Sequence, residues 1–144
     1  MSAVPRVLAI IPAASRYSCQ KKFIVDEKRA GVFCEIVGDD NPVHDSDSAA
    51  REEGFERAIG PGMYVLSLVS GFIQERFPRA IARELVRCVF PKPVYYGEEI
   101  AAVLTVVGEE EKRLSRRKKV TLDVAVTSGA KKVMKGTIKV VVRI

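Results

Sequence analysis

The residues best suited to chemistry lie in Gly38-Asp39-Asp40-Asn41-Pro42-Val43-His44. His44 is the only histidine among 144 residues, and Asp39 stands five positions before it, with the turn-forming pair Asn41-Pro42 between them. A carboxylate and an imidazole on one tight turn make an acid–base pair able to move protons near neutral pH. Further along, Gly60-Pro61-Gly62-Met63 opens a long apolar run. That turn holds no Ser, Thr, Asp or Asn to cap a helix, so the first helical N–H groups are left free. Gly62 lets a ligand approach the backbone closely, and the helix dipole favours negative charge there. An acid, a base and a helix N-terminus brought together are the parts of a proton-transfer site acting on a polarised carbonyl. The N–H of Gly62, joined by that of Met63, would be the oxyanion donor. Without further support the bland reading of Asp39–His44 is a structural turn after a helix, since Gly, Asp, Asn and Pro are ordinary turn residues.

The surrounding elements follow from hydrophobic period. Lys21–Val25 reads as a short strand ending at Asp26, a good helix N-cap. Ala30, Phe33, Cys34 and Val37 recur at helical spacing, and Gly38 can end that helix in the left-handed conformation. Asp45, Ser46 and Asp47 are all N-cap types, predicting a second short helix over Ala49–Glu53 that stops at Gly54. Met63–Phe77 is the long helix; its apolar residues go most of the way round, relieved only by Ser67, Ser70 and Gly71, which predicts burial on nearly all sides. Glu84–Phe90 reads as a strand. Ile100–Val107, Val120–Thr127 and Val133–Ile144 are rich in β-branched residues and alternate, forming an antiparallel meander with Lys112–Lys119 and Ser128-Gly129-Ala130 as turns. The fold class is therefore α+β, with a sheet that wraps a buried helix.

Composition sets the outer bounds. The length fits one compact domain, here residues 21–144 behind an arm over residues 1–20. Apolar content of 47% and charged content of 29% exclude disorder as the main state. Cys19, Cys34 and Cys88 are scattered without a paired framework, which reads as reduced thiols in a cytoplasmic protein. One histidine and no cysteine cluster argue against a zinc site. The arm carries Arg6 and Arg16 and no acid, but Pro5 and Pro12 interrupt any helix and Val7–Ile11 is too short to span a bilayer. An ordered arm, no targeting segment and no membrane association are expected.

These residues resemble a known family. Gly38 through His44, then Ala49, Gly54-Phe55, Ile59, Gly62-Met63 and Ser70-Gly71, are similar to the signature of MaoC-like (R)-specific enoyl-CoA hydratases. Phe90-Pro91-Lys92-Pro93-Val94-Tyr95-Tyr96-Gly97-Glu98 resembles the family's strand entry. The likeness runs from about Phe23 to the C-terminus. It implies a single hotdog fold, a homodimer whose sheets join edge to edge, and Asp39 and His44 as the catalytic pair. It also implies a trans-2-enoyl thioester of coenzyme A or a carrier protein as substrate, with no cofactor of the protein's own. Asn41 would orient the loop, and Ser70 would support Asp39 by a hydrogen bond. Asp40, Ser46 and Pro61 depart from the usual pattern. Serine can still cap the same helix, whereas Asp40 and Pro61 flank the site and bear on substrate range.

Two rivals remain open at this level. An acyl-CoA-sensing hotdog module needs the pocket without the acid–base pair, and a hotdog thioesterase needs a carboxylate on the long helix, which carries none before Glu75. The net charge of +6 suits an anionic ligand. The densest basic run, Lys112–Lys119, fits either the phosphates of coenzyme A or, more simply, a solvated turn. Nothing resembling a nucleic-acid-binding motif accompanies the charge, and Tyr95-Tyr96 reads as strand packing rather than base stacking.

Overall fold

The computed structural model describes residues 17–144. Most of the expected arm, residues 1–16, lies outside the described residues. Its last part is strand: β1 spans Ser18–Ile24, starting three residues before the expected Lys21. Helix α1 (Glu27–Val37) begins where the Asp26 carboxylate accepts from the Arg29 N–H and ends at Gly38, whose φ of 74° is left-handed. A single 3-10 turn, Pro42–His44, leads to α2 (Asp47–Glu52), capped by Ser46, whose hydroxyl accepts from the Ala49 N–H. There follow β2 (Ile59–Gly60), α3 (Gly62–Arg76), β3 (Ala80–Val89), β4 (Val94–Tyr95), β5 (Glu99–Lys112), β6 (Arg117–Ser128) and β7 (Lys131–Arg143).

The long strands form one five-stranded antiparallel sheet in the order β1-β5-β6-β7-β3, and β2 pairs with β4 in a separate ribbon. Alternation sets which face is covered. Ile100, Ala102, Leu104 and Val106 of β5, Val120, Leu122, Val124 and Val126 of β6, and Ile138, Val140 and Val142 of β7 are all buried. They form one core with Tyr64, Val65, Val69, Phe72 and Ile73 of α3. Full burial of such side chains stabilises by about 1.5–3 kcal/mol each. A long helix embraced by an antiparallel sheet is the hotdog fold.

Two expectations are corrected. Helix α3 is not covered all round: Met63 is 57% exposed, and Ser67, Gly71 and Gln74 are also exposed. The polar and small residues of the helix share one side, and the sheet curls round the other. The basic run is not simply a turn either. Strand β5 continues to Lys112 and β6 resumes at Arg117, so only Arg113–Arg116 reverse the chain. Glu109, Glu110 and Glu111 pair across the ladder with Val120, Lys119 and Lys118, and Lys118 Nζ lies 2.7 Å from Glu109 Oε2. Acidic neighbours thus offset part of that charge.

Strand β3 is one edge of the sheet, and Ile81, Leu85 and Val86 on it are about half exposed. Its pairing with β7 is interrupted between Leu85 and Arg87. Gly136 makes the irregularity possible, because a Cβ there would run into the Arg87 carbonyl oxygen.

Candidate active site

The connection from α1 to α2 carries the acid and the base. The Asp39 N–H donates to the Cys34 carbonyl (2.9 Å), continuing the end of α1 by one more bond. Its carboxylate then turns back over the loop: Oδ1 accepts from the Asn41 N–H (3.3 Å). Asn41 in turn caps the 3-10 turn through Oδ1, which accepts from the Val43 N–H (3.2 Å). Asn41 is thus a loop former, as its type suggested. The turn delivers His44 so that Nε2 lies 3.3 Å from Asp39 Oδ2. The imidazole is mostly buried, with 15% of its side chain exposed, whereas Asp39 keeps 35%. The acid is thus the more open of the pair.

The other ring nitrogen decides what the pair can do. His44 Nδ1 lies 3.0 Å from the Ile59 carbonyl oxygen, which can only accept, so Nδ1 carries the hydrogen. That leaves Nε2, facing Asp39, as the one ring position where a proton can come and go.

Side-chain bonds from distant segments hold this loop. The Tyr96 hydroxyl donates to the His44 carbonyl (2.6 Å), and the Arg57 guanidinium donates to the Tyr96 carbonyl (3.0 Å). The Tyr95 hydroxyl accepts from the Glu56 N–H, and Asp47 accepts from the Ala58 N–H. Burial first, then Cys34, Glu27, Asp45 and Asp39 nearby, push the Tyr96 phenol up to about 12, so it remains a donor at any working pH. Sequence reasoning took the tyrosine pair for strand packing. Their part in holding the loop has no local signal, since Tyr96 and His44 are 52 positions apart.

Ile59 also leads to the third component. It stands three residues before Gly62, at most about 10 Å of extended chain, so His44 is tied to the approach of the α3 N-terminus. Pro61 is the N-cap and makes no side-chain cap bond. The Tyr64 and Val65 N–H groups reach back to the Pro61 carbonyl at 3.1 and 3.3 Å, but those of Gly62 and Met63 have no partner among the described residues. The glycine at position 62 has a packing reason too. A Cβ there would lie 3.0 Å from each of three ring carbons of Phe90, whose ring covers that side of the backbone. Gly60 is similarly confined, a Cβ meeting Val94 at 2.9 Å and Val25 at 3.1 Å.

Ser70 is placed differently from expectation. Its hydroxyl accepts from Arg83 Nη1 (2.9 Å), and no hydrogen bond joins it to Asp39 among the described residues. Two helical turns separate it from Gly62, and β3 lies alongside it at that level.

Comparison with known proteins bears on the family and the fold. Residues 12–130 match the family model described as a MaoC like domain. The chain is 33% identical over 81 residues to the mitochondrial 3-hydroxyacyl-[acyl-carrier-protein] dehydratase of Arabidopsis thaliana, covering 55% of this chain and 47% of that protein. It is 32% identical over 80 residues to the (R)-specific enoyl-CoA hydratase of Aeromonas caviae, covering 55% and 60%. The chain therefore spans about half the length of the curated relatives it matches. Among solved structures, the (R)-hydratase of A. caviae superposes with a TM-score of 0.74 at 23% identity, over 90% of this chain and 96% of that one. Protein af1124 of Archaeoglobus fulgidus gives 0.74 at 29% identity, over 88% and 77%.

Proposed function

The chain belongs to the MaoC-like domain family, whose relatives here are hydratases and dehydratases, and from that premise we propose that it hydrates trans-2-enoyl thioesters to (R)-3-hydroxyacyl thioesters and catalyses the reverse dehydration. The observation that carries the reading is the Asp39–His44 pair, with one imidazole nitrogen committed to Ile59 and the other facing the carboxylate.

With Nδ1–H committed, the reaction calls for one proton on the pair, at His44 Nε2 or at Asp39 Oδ2. The unprotonated member takes a proton from water as the oxygen bonds to C3. The double-bond electrons move toward the thioester, and the carbonyl oxygen becomes an enolate oxygen. The protonated member gives its proton to C2, and the pair ends with one proton, as it began. The Gly62 and Met63 N–H groups stabilise the enolate oxygen, one such donor being worth about 2.7–4 kcal/mol in acyl-transfer enzymes. A positioned acid or base contributes about 10²–10⁴-fold.

The thioester is carried by coenzyme A or by a carrier protein. Two copies join through the open β3 edge, where unpaired backbone and half-exposed Val86 offer a seam. Free Cys19, Cys34 and Cys88 suit a reducing, cytoplasmic setting. Among the described residues no helix is long and apolar enough to cross a membrane.

The test is loss of enoyl absorbance when the protein meets crotonyl-CoA, with chiral analysis of the product. Rapid formation of the (R)-3-hydroxy ester is expected. Tight binding without turnover would replace the enzyme with a thioester-sensing module, and release of free thiol would replace hydration with thioester hydrolysis.

A further inference from the structure

The face of α3 that the sheet leaves open begins at the oxyanion donors and runs along the helix through Ser67, Ser70, Gly71 and Gln74. Strand β3 and the residue after it form the neighbouring wall. Phe90 covers Gly62 at the near end, and Leu85, which pairs with inward-facing Ile138, stands half exposed further along. Up to this level the wall is apolar.

At the far end its character changes. Arg83 pairs with inward-facing Val140, and its guanidinium turns to the helix: Nη1 donates to Ser70 Oγ (2.9 Å) and Nη2 to Gln74 Oε1 (2.8 Å). Both acceptors are neutral. Among the described residues no carboxylate forms an ion pair with Arg83. A guanidinium offers five N–H donors in a planar fork suited to a carboxylate, so further donors are free to bind one. A depression of about 250 Å³, lined by Gln74, Ala80, Ile81, Ala82 and Arg83, opens beside it. Ser70 lies eight residues beyond Gly62, about 12 Å along the helix axis. An extended acyl chain of roughly six to eight carbons, with bonds of about 1.5 Å, covers that distance once the reach of the guanidinium is included.

We infer that the groove between α3 and β3 receives the acyl tail and that Arg83 recognises a carboxylate at its end. Among chains long enough to reach Arg83 the favoured substrates are then enoyl thioesters of dicarboxylic acids, while shorter chains such as crotonyl react without that contact. The inference rests on the proposed placement of the thioester at Gly62. An alkyl tail of the same length would lie against a charged group and strip water from it without repayment. A carboxylate tail forms a charge-assisted pair there, which gives a role to the cation that ends the apolar β3 wall.

Saturated thioesters test this without any need for turnover. Binding of adipoyl-CoA is compared with hexanoyl-CoA, and suberoyl-CoA with octanoyl-CoA, by titration calorimetry on the full chain, on Arg83→Met and on Arg83→Lys. The wild-type protein is expected to bind the dicarboxylic member of at least one pair about tenfold more tightly. Arg83→Lys should keep the direction of that preference, and Arg83→Met should abolish or invert it. Equal or weaker binding of both dicarboxylic forms by the wild-type protein would overturn the inference, as would a preference that survives in Arg83→Met. So would an Arg83→Met protein that loses its self-association in sedimentation while its tail preference stays put, because Arg83 would then serve the joint between copies. Crotonyl-CoA, too short to reach Arg83, reports separately on hydration: its failure to react with the wild-type protein would reject the hydratase reading and leave the tail comparison to be decided by binding.

Discussion

The loop that carries Asp39 and His44 and the sheet are held together in different ways. Across β5, β6 and β7 the main chain pairs with itself along almost the whole length of each strand, shifting register only between Val106 and Gly108 and between Val126 and Thr127, and side chains have only to fill the space over α3. In the loop from Gly38 to Gly60 the main-chain bonds outside β2 are short-range turns, and side chains supply the rest of the support: Asn41, Ser46, Asp47, Arg51, Tyr95 and Tyr96 each bond to a backbone group of this stretch. The sheet's stability is therefore spread over many equivalent contacts. The loop's geometry is concentrated in a few non-equivalent ones, each of which fixes the direction of a group. Stability and activity should accordingly respond to different residues.

The sharpest test of that separation is at the pair itself. His44→Ala and Asp39→Asn are each expected to lower turnover of crotonyl-CoA by about 10²–10⁴-fold, with thermal unfolding close to wild type. Near-wild-type rates in both would remove the pair from the mechanism. The converse is Leu122→Ala, in the centre of the sheet and fully buried: a loss of about 2–5 kcal/mol in denaturant unfolding is expected, with kcat of the folded fraction retained. Tyr96→Phe lies between the two. It leaves the His44 carbonyl without its donor, at a cost of about 1–3 kcal/mol, and should lower kcat more than it raises KM because His44 swings away from its position. An unchanged kcat would show that Ile59 alone orients the ring.

The smallest effect is expected at Glu98, which lies 3.0 Å from Lys131 on β7. Burial pushes its carboxyl up, but the hydrogen bonds of Ser128 and Lys131 and the Lys131 charge outweigh it and leave the group below its ordinary value. A lowered folded value means stability that is present above the unfolded value of about 4.3 and lost as pH falls through the folded one. Glu98→Gln should therefore cost about 1 kcal/mol or less at neutral pH, and the difference should close in acid. A gap that persists at pH 3 would assign the cost to packing instead.

Much of this was legible in the residues because it is local. Asp26 and Gly38 bracket α1, Ser46 caps α2, and the β-branched alternation marks β5, β6 and β7, so the helix-and-sheet architecture followed from period and caps. Asp39 and His44 meet because one short turn joins them. What could not be read depends on contacts between distant segments. On α3 the open side is marked only by Ser67, Ser70, Gly71 and Gln74, whose spacing of three and four puts them on one face, and what lies beside that face is set by β3. Strand β3 was read only from Glu84, since Arg79–Arg83 does not alternate, and so Arg83 was missing as a partner for Ser70. Gly62 reads from the sequence as a place where a ligand could approach the backbone, but the neighbour that confines it to glycine is the Phe90 ring, from just beyond the end of β3.

One further consequence follows from the segment between Ile59 and Gly62. The carbonyl that orients the His44 ring and the N–H groups proposed to hold the substrate oxygen belong to the same short piece of chain, anchored by β4 on one side. In the proposed mechanism a displacement of that piece would carry both supports together, so an error that would add between two independent supports would become a shared translation.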